Sequence, residues 1–422
     1  MQTNQPITLP KVFTHEGAPA RHITSLQELR RMTLSALLFE DTFYESGSSQ
    51  SKRVAELVAQ CKPDDVMTLA MEGRNRMYLR HMPLFLTREL ARRKNCGSFV
   101  ADILESVIQR PDELTEYLAI YWKDGRCPIS AGSKRGLARA FRKFNAETLS
   151  KYDRDKAVKL RDVLRITHSK PESVDQSLTW KKLIAGELES PDTWEVALSS
   201  GADKKETFER LLREKKLGGL AFLRNLRNMI SSGVDKDLIK ERFAGGFGKV
   251  LPFRFVAALR YAPQFVRGLD LAMQKCLTEI PKLPGTTGVL VDVSGSMDVE
   301  ISAKSEMTRV DVAAGLAVLI SGIAERPRIF TFSYKTVEVP PYPGLALVKT
   351  IHDSQTHGAT YLGEAVQILS MEKLDRLIVI TDEQSHDRVP NPAMKGYMIN
   401  VASNKHGVGY GPWVHIDGWS ER

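Results

Sequence analysis

Along residues 1–284, apolar side chains recur three and four positions apart, interrupted by polar residues, Gly or Pro, as in amphipathic helices that bury one stripe. The pattern is clearest over 26–39, 54–61, 99–108, 114–122, 137–144 and 208–212, and strand-like alternation is scarce there. After residue 284 the pattern changes. Val289-Leu290-Val291 and Leu377-Ile378-Val379-Ile380 are unbroken apolar runs leading to Asp292 and, after Thr381, to Asp382, as expected of strands buried on both faces. The chain therefore reads as multidomain, with an all-α region over 15–284 followed by an α/β, doubly wound domain over 285–422.

Many short consecutive helices predict helix pairs stacked into a curved superhelix of the HEAT kind, although irregular helical packing is an alternative because no strict repeat period is visible. Beyond Asp382 two strands are expected, at 396–401 and 413–416, with little room for a closing helix. A length of 422 residues, 42% hydrophobic and 26% charged, is ordinary for a soluble protein with two or three domains. Residues 1–10 are polar, and no run of about 18 apolar residues occurs, so a cytoplasmic location without a membrane partner is expected. Cys61, Cys96, Cys127 and Cys276 form no Cys-x-x-Cys pair, which points to reduced thiols and not to zinc.

Charge is unevenly divided. Residues 285–422 hold 12 Lys and Arg against 16 Asp and Glu, a balance of −4, whereas residues 1–284 hold 48 against 35, a balance of +13. A basic excess confined to the helical region points to a polyanionic partner, with a solvated basic surface as the bland alternative. One candidate surface starts at Arg154: Arg154, Arg161, Arg165 and His168 are spaced by seven, four and three, which puts them on one helical face beside an apolar stripe of Ala157, Leu160 and Leu164. Arginine forks suit phosphate oxygens, and lysines such as Lys156, Lys159 and Lys170 add flexible point charges. A second basic cluster comprises Lys134, Arg135, Arg139, Arg142 and Lys143.

The α/β region carries the sharper chemistry. In Asp292-Val293-Ser294-Gly295-Ser296 a carboxylate is followed by two hydroxyls at alternate positions. Thr360, after His357-Gly358-Ala359, and Asp382 complete an all-oxygen set. Such donors suit a hard cation, Mg²⁺ or another divalent ion, at the carboxyl ends of parallel strands. An ordinary turn after a strand is the alternative for the pentapeptide alone. The ordered set Asp292, Ser294, Ser296, Thr360 and Asp382 resembles the metal-ion-dependent adhesion site (MIDAS) of von Willebrand factor A domains, which implies a partner protein able to offer a carboxylate to the metal.

In the helical region, Leu217-Gly218-Gly219-Leu220-Ala221-Phe222-Leu223-Arg224-Asn225-Leu226-Arg227-Asn228-Met229 predicts an amphipathic core helix, with Leu220, Leu223 and Leu226 as its stripe and Arg224, Asn225 and Asn228 beside it. Its wording resembles the central signature of the TROVE module of the Ro family, and Leu251-Pro252-Phe253-Arg254-Phe255-Val256-Ala257-Ala258-Leu259 fits that module's next helix. The resemblance implies a ring of helical repeats followed by an A domain. It also implies RNA partners, namely small noncoding Y-like RNA and the single-stranded 3′ ends of misfolded RNA, and an exoribonuclease in RNA quality control. The segment Leu164 to Pro171 resembles a family stretch in which a histidine and upstream basic residues contact RNA, which assigns His168, Arg154 and Lys151 to that role. The cluster around Arg135 and Arg139 resembles a Gly-x-Arg-Gly stretch, but Ser133-Lys134 replaces its aromatic context.

Glu383, His386 and His357 could serve acid or base chemistry but read more simply as loop polarity. The glycines of Gly245-Gly246-Phe247-Gly248-Lys249 lack phosphate-cradle spacing, and neither a Gly-x-Ser-x-Gly elbow nor a His-Glu-x-x-His helix occurs. The expectation is a noncatalytic RNA-binding scaffold. A metal-dependent protein adaptor and a metal-dependent nuclease or phosphatase are the other classes.

Overall fold

A computed structural model describes residues 11–35, 45–153, 156–189, 196, 201, 203–248, 250–278, 280–302 and 305–418. It divides into two compact units. The described part of one comes from 25–34 and 48–247, and that of the other from 11–24, 35, 45–47 and 248–418. This division by contact falls at Gly248, upstream of the 284/285 change in sequence pattern, because the helices Pro252–Tyr261 and Val266–Leu277 pack on the α/β helix Arg309–Ile323. Glycine makes that contact close: a β-carbon at Gly315 would lie 3.0 Å from the Phe253 side chain.

The first unit is helical throughout, with described helices from Ser25–Ser35 to Lys236–Ala244. The predicted periodic stretches correspond to Ser25–Ser35, Gly47–Gln60, Gly97–Val107, Pro111–Tyr121, Ala131–Phe141 and Lys204–Arg213, while residues 36–39 of the first lie outside the described residues. Short side chains start several helices. Ser130, Asn145, Ser173 and Asp203 each accept a backbone N–H from the first turn. Gly132 and Gly136 bring Ala131–Phe141 against Gly97–Val107, since added β-carbons would meet Gly97 O at 2.4 Å and Leu104 Cβ at 2.7 Å. The glycines beside Lys134 and Arg135 therefore have a packing cause. The buried Arg74 donates to Glu113 at 2.6 Å and to the Val107 carbonyl at 2.9 Å, tying three helices together.

In the second unit, the strands β1 (Leu283–Asp292), β4 (Ala324–Phe332), β5 (Thr336–Val339), β6 (Arg376–Thr381), β7 (Lys395–Asn400) and β8 (Val414–Asp417) form a sheet of order β5-β4-β1-β6-β7-β8. A separate small ribbon pairs β2 (Glu300–Ser302) with β3 (Ser305–Thr308). Only β5 runs antiparallel in the main sheet. Strand alternation splits the apolar runs between two faces. Leu290, Leu377 and Val379 join the core with the helix Leu362–Ser370 and Trp413, while the helix Arg309–Ile323 packs on β1, β4 and β6.

β7 and β8 are joined through residues 401–413 without a helix, and among the described residues none follows Ser370, in keeping with the space left by the sequence. Residues 11–22 add a small hairpin. Phe13 pairs with Pro19, and Ala18 enters the core while its N–H donates to the Ser385 carbonyl at 3.2 Å. All four cysteines are free thiols. No helix among the described residues is long and apolar enough to cross a membrane.

Candidate metal centre and nucleic-acid surface

The adjacent parallel strands β1 and β6 end at Asp292 and Thr381, so Asp292 and Asp382 emerge at the same sheet edge. After Asp292 the chain stays extended through Ser294 and then makes a short 3-10 turn, Gly295–Asp298, which turns Ser296 back toward the strand ends. The Gly295 N–H donates to the Gly358 carbonyl at 2.9 Å and thereby joins this loop to the one carrying Thr360. A β-carbon at Gly358 would lie 2.1 Å from the ring of the exposed Tyr334, which would have to swing aside.

All five predicted oxygen donors are buried. Asp292, Ser294 and Asp382 have no exposed surface, Thr360 retains 2% and Ser296 8%. Asp292 accepts from the Ser294 N–H at 2.9 Å and from the Thr381 hydroxyl at 2.6 Å. Asp382 accepts from the Gln384 N–H at 3.1 Å and from the buried Arg309 guanidinium at 3.3 Å. Burial and the neighbouring Asp382 charge push the Asp292 carboxyl above the usual range, against the hydrogen bonds from Ser294 and Thr381. Asp382 is likewise raised, chiefly by burial, which Arg309 only partly offsets. Among the described residues no three His, Cys, Asp or Glu side chains converge for a metal, so hydroxyls must supply part of any coordination shell. Two buried carboxylates short of positive charge, with three hydroxyl groups, match the donor chemistry of a hard divalent cation.

The nearby acid–base candidates have other tasks. His357 bonds Asp298 at 2.7 Å and the His352 carbonyl at 3.1 Å. His386 pairs with Glu16 at 3.0 Å and accepts the Thr360 N–H at 3.1 Å. Glu383, in a left-handed conformation at φ 63°, accepts the Gly409 N–H at 2.9 Å and pairs with His415. These contacts hold loops around the strand ends.

In the helical unit the basic stripe is shorter than its spacing predicts. The helix runs over Leu160–Thr167 only, because the Asp162 carboxylate accepts the Lys159 N–H at 2.9 Å and fixes the start, while His168 ends it at φ 51°. Lys151 belongs to the preceding helix Ala146–Tyr152, Ala157 is exposed outside any helix, and Val163 joins Leu160 and Leu164 in the buried stripe. Arg154 lies outside the described residues. The candidates therefore do not share one continuous helical face. Arg165, His168 and Lys170 are exposed, whereas Arg161 is half-buried and its charge acts on Asp153. Lys151 lies over the Tyr152 ring at 5.7 Å.

Arg139 donates to Asp102 at 3.0 Å and to Glu105 at 3.3 Å, Arg142 pairs with Glu172 at 2.7 Å, and Lys143 turns inward to the Glu105 and Ile108 carbonyls. Arg135, by contrast, is exposed and has no carboxylate partner among the described residues. A cleft of about 310 Å³ opens beside Arg165, lined by Trp122, Arg126, Ala157, Val158, Asp162 and Ile166. Arg126 sits 4.8 Å over the Trp122 ring, and neither Arg126 nor Arg165 has a carboxylate partner among the described residues. Sequence periodicity missed Trp122 and Arg126 because they flank the end of a different helix.

The signature helix, Gly219–Ser231, is a core helix as predicted, but its stripe is rotated: Phe222, Leu223, Asn225, Leu226 and Met229 are buried, and Leu220 is not. Asn225 is accommodated because its amide donates to the Ala221 carbonyl at 2.9 Å. Phe222 meets Phe243 edge-on and contacts Phe247 of the glycine-rich loop. A β-carbon at Gly219 would strike Phe247 Cα at 2.8 Å. Lys249 of that loop lies outside the described residues.

The TROVE domain family matches residues 174–242, which include this helix. No curated protein matches the chain. Among solved structures, the Ro (RSR) protein of Deinococcus radiodurans is similar over 94% of this chain and 97% of its own, with a TM-score of 0.63 and 17% identity. That likeness carries the fold, a helical region followed by a parallel-sheet α/β domain, and the family match carries the signature. Residues 174–242 thus match the TROVE domain family, and the chain as a whole is similar in fold to a Ro protein.

Proposed function

We propose that the protein is a noncatalytic RNA-binding scaffold of the Ro type, which takes small noncoding RNA and single-stranded 3′ ends of misfolded RNA and presents them to an exoribonuclease for maturation or decay. The observation that carries the reading is the cleft beside Trp122, where Arg126 and Arg165 stand without carboxylate partners among the described residues, in the helical unit that also holds the TROVE match. An aromatic face with unpaired arginines is the chemistry of single-strand binding: bases stack on the ring and guanidinium groups meet phosphates. Lys151 and Lys170 add positive charge in the same helical unit, where His168 is also exposed.

The test is a titration with a small structured RNA carrying a single-stranded 3′ tail, run at several salt concentrations beside a duplex lacking the tail. Tail-dependent binding with a slope of about −0.7 per neutralised phosphate supports the reading. Weak binding indifferent to the tail refutes it.

Mg²⁺, or a cation of similar hardness, would be held by Asp292, Ser294, Ser296, Thr360 and Asp382, and would supply an electrophilic position able to take a partner's carboxylate. The two interacting carboxylates at one sheet edge, Asp292 and Asp382, favour a second reading, a metal-dependent adaptor whose helical unit is only a scaffold. Chelator discriminates between the two. Adaptor binding disappears with it, whereas phosphate-driven RNA binding persists.

A further inference from the structure

The α/β unit holds a cleft that the proposed RNA and metal sites do not use. The hairpin over residues 11–22 forms one wall, the segment 388–391 another, and Gln367 and Val408 complete it, enclosing about 850 Å³. That volume fits a small organic ligand and far exceeds a single inorganic anion. Its ionisable lining is Lys11, Arg21, His22 and Arg388, without a carboxylate.

Two nearby acids are already engaged. Asp387 accepts from the Gly363 and Glu364 N–H groups at 2.8 and 2.7 Å and from the Ser385 hydroxyl at 2.8 Å, and Glu16 pairs with His386. Arg21 is held in place, donating its side chain to Asn391 Oδ1 at 2.9 Å and its backbone N–H to the Gly407 carbonyl at 3.0 Å.

The rest of the lining is apolar or amide. Phe13 lines the cleft and is 48% exposed, and Pro19, Val389 and Pro390 lie around the same space. Gln367 and Asn391 add donors and acceptors suited to heteroatoms at a ring edge. A ligand that satisfies this lining is anionic at one end and flat, aromatic and hydrogen-bonding at the other.

We propose that this cleft binds a nucleoside phosphate, with the phosphate on Arg21, Arg388 and Lys11 and the base against Phe13. The ligand is either a free nucleotide or one nucleotide of an RNA strand, and only the second source rests on the RNA-binding reading above.

The test uses the full chain in calorimetric titrations with adenosine 5′-monophosphate, inorganic phosphate and an oligoadenylate of about ten nucleotides, a length sufficient for several stacked bases. Proteins compared are the wild type, Phe13→Ala, Arg388→Gln and, as a control in the helical cleft, Trp122→Ala. Phe13 and Arg388 are exposed, so melting curves should be unchanged by their replacement.

The expected result is nucleotide binding tighter than phosphate binding, weakened about tenfold by Phe13→Ala and by Arg388→Gln, and unaffected by Trp122→Ala. If the free nucleotide does not bind but both cleft variants weaken the oligonucleotide at least about fivefold, the source is an RNA strand. The proposal is overturned if neither variant weakens either probe, or if phosphate binds as tightly as the nucleotide. Failure of the RNA-binding reading has a different signature: no affinity for tailed RNA, with nucleotide binding at this cleft intact.

Discussion

Thr381 and Asp292 face each other across the β1–β6 pair, one step beyond the Val291–Ile380 register, and the Thr381 hydroxyl donates to Asp292 Oδ2 at 2.6 Å. That bond and those from Ser294 support the charge of a fully buried carboxylate, while burial and a second buried carboxylate disfavour it. Arg309 offsets the charge of Asp382 only in part, so the proposed cation makes a prediction about this edge that can be tested separately from stability.

Asp292→Asn removes one of two mutually repelling carboxylates. The metal-free protein should melt at a higher temperature than wild type, yet lose any rise in melting temperature on adding Mg²⁺. A ligand that binds only the folded state at a hundredfold its Kd stabilises by about 2.7 kcal/mol, so the wild-type response is measurable. Thr381→Val should act differently, weakening Mg²⁺ affinity and costing about 1–3 kcal/mol by leaving Asp292 under-bonded. An Mg²⁺ response of wild-type size in Asp292→Asn would remove the metal site.

The arginines of the helical unit should divide by their partners. Arg165→Gln and Trp122→Ala should each weaken single-stranded RNA binding about tenfold, from a lost phosphate contact and a lost stacking platform. Arg139→Gln should change it little, because Asp102 and Glu105 already hold that guanidinium. Equal losses in Arg165→Gln and Arg139→Gln, with Trp122→Ala unchanged, would mean that affinity follows net charge and that the cleft is not the site.

What could be read from the sequence was what local spacing encodes. The strands ending in Asp292 and Thr381 were legible because a buried parallel strand is an unbroken apolar run. The helices were legible, but not always their ends. An unbroken basic face from Arg154 to His168 fails because Asp162 caps the helix at Lys159, a competition that periodicity does not register. Asn225 was misplaced for a similar reason, since an amide bonded to its own helix can be buried. Trp122, Arg126 and the hairpin that seats Ala18 depend on tertiary contacts between distant segments, for which the chain carries no local signal.

Gly136 tests the close helix contact. Alanine would gain about 0.5–1 kcal/mol in helix propensity, but its β-carbon would lie 2.7 Å from Leu104 Cβ and 2.9 Å from the Ala101 backbone. Neither neighbour is the free end of a flexible side chain, and overpacking of this kind costs about 1–3 kcal/mol. Gly136→Ala should therefore lower the urea midpoint of the helical unit. A raised midpoint would mean that the two helices separate at little cost.

His415 gives the fold a pH dependence whose sign can be worked out. Its ring stacks on Tyr410 with centroids 3.8 Å apart and lies between Glu383 and Asp417. Burial pulls its pKa down, but the Glu383 charge and hydrogen bonds to Asp417 and Glu383 outweigh that and hold it at about 9. A histidine whose folded pKa exceeds its unfolded value of about 6.5 contributes stability that is complete below about pH 6.5 and is lost as pH rises through about 9. The gap corresponds to roughly 3 kcal/mol at most. Urea unfolding in chelator, repeated from about pH 6 to 10, should show the wild-type midpoint falling across that window. His415→Gln, which keeps a hydrogen-bonding side chain but no titratable charge, should start lower and fall less. Parallel curves for the two proteins would show that the charge on His415 does not support the fold.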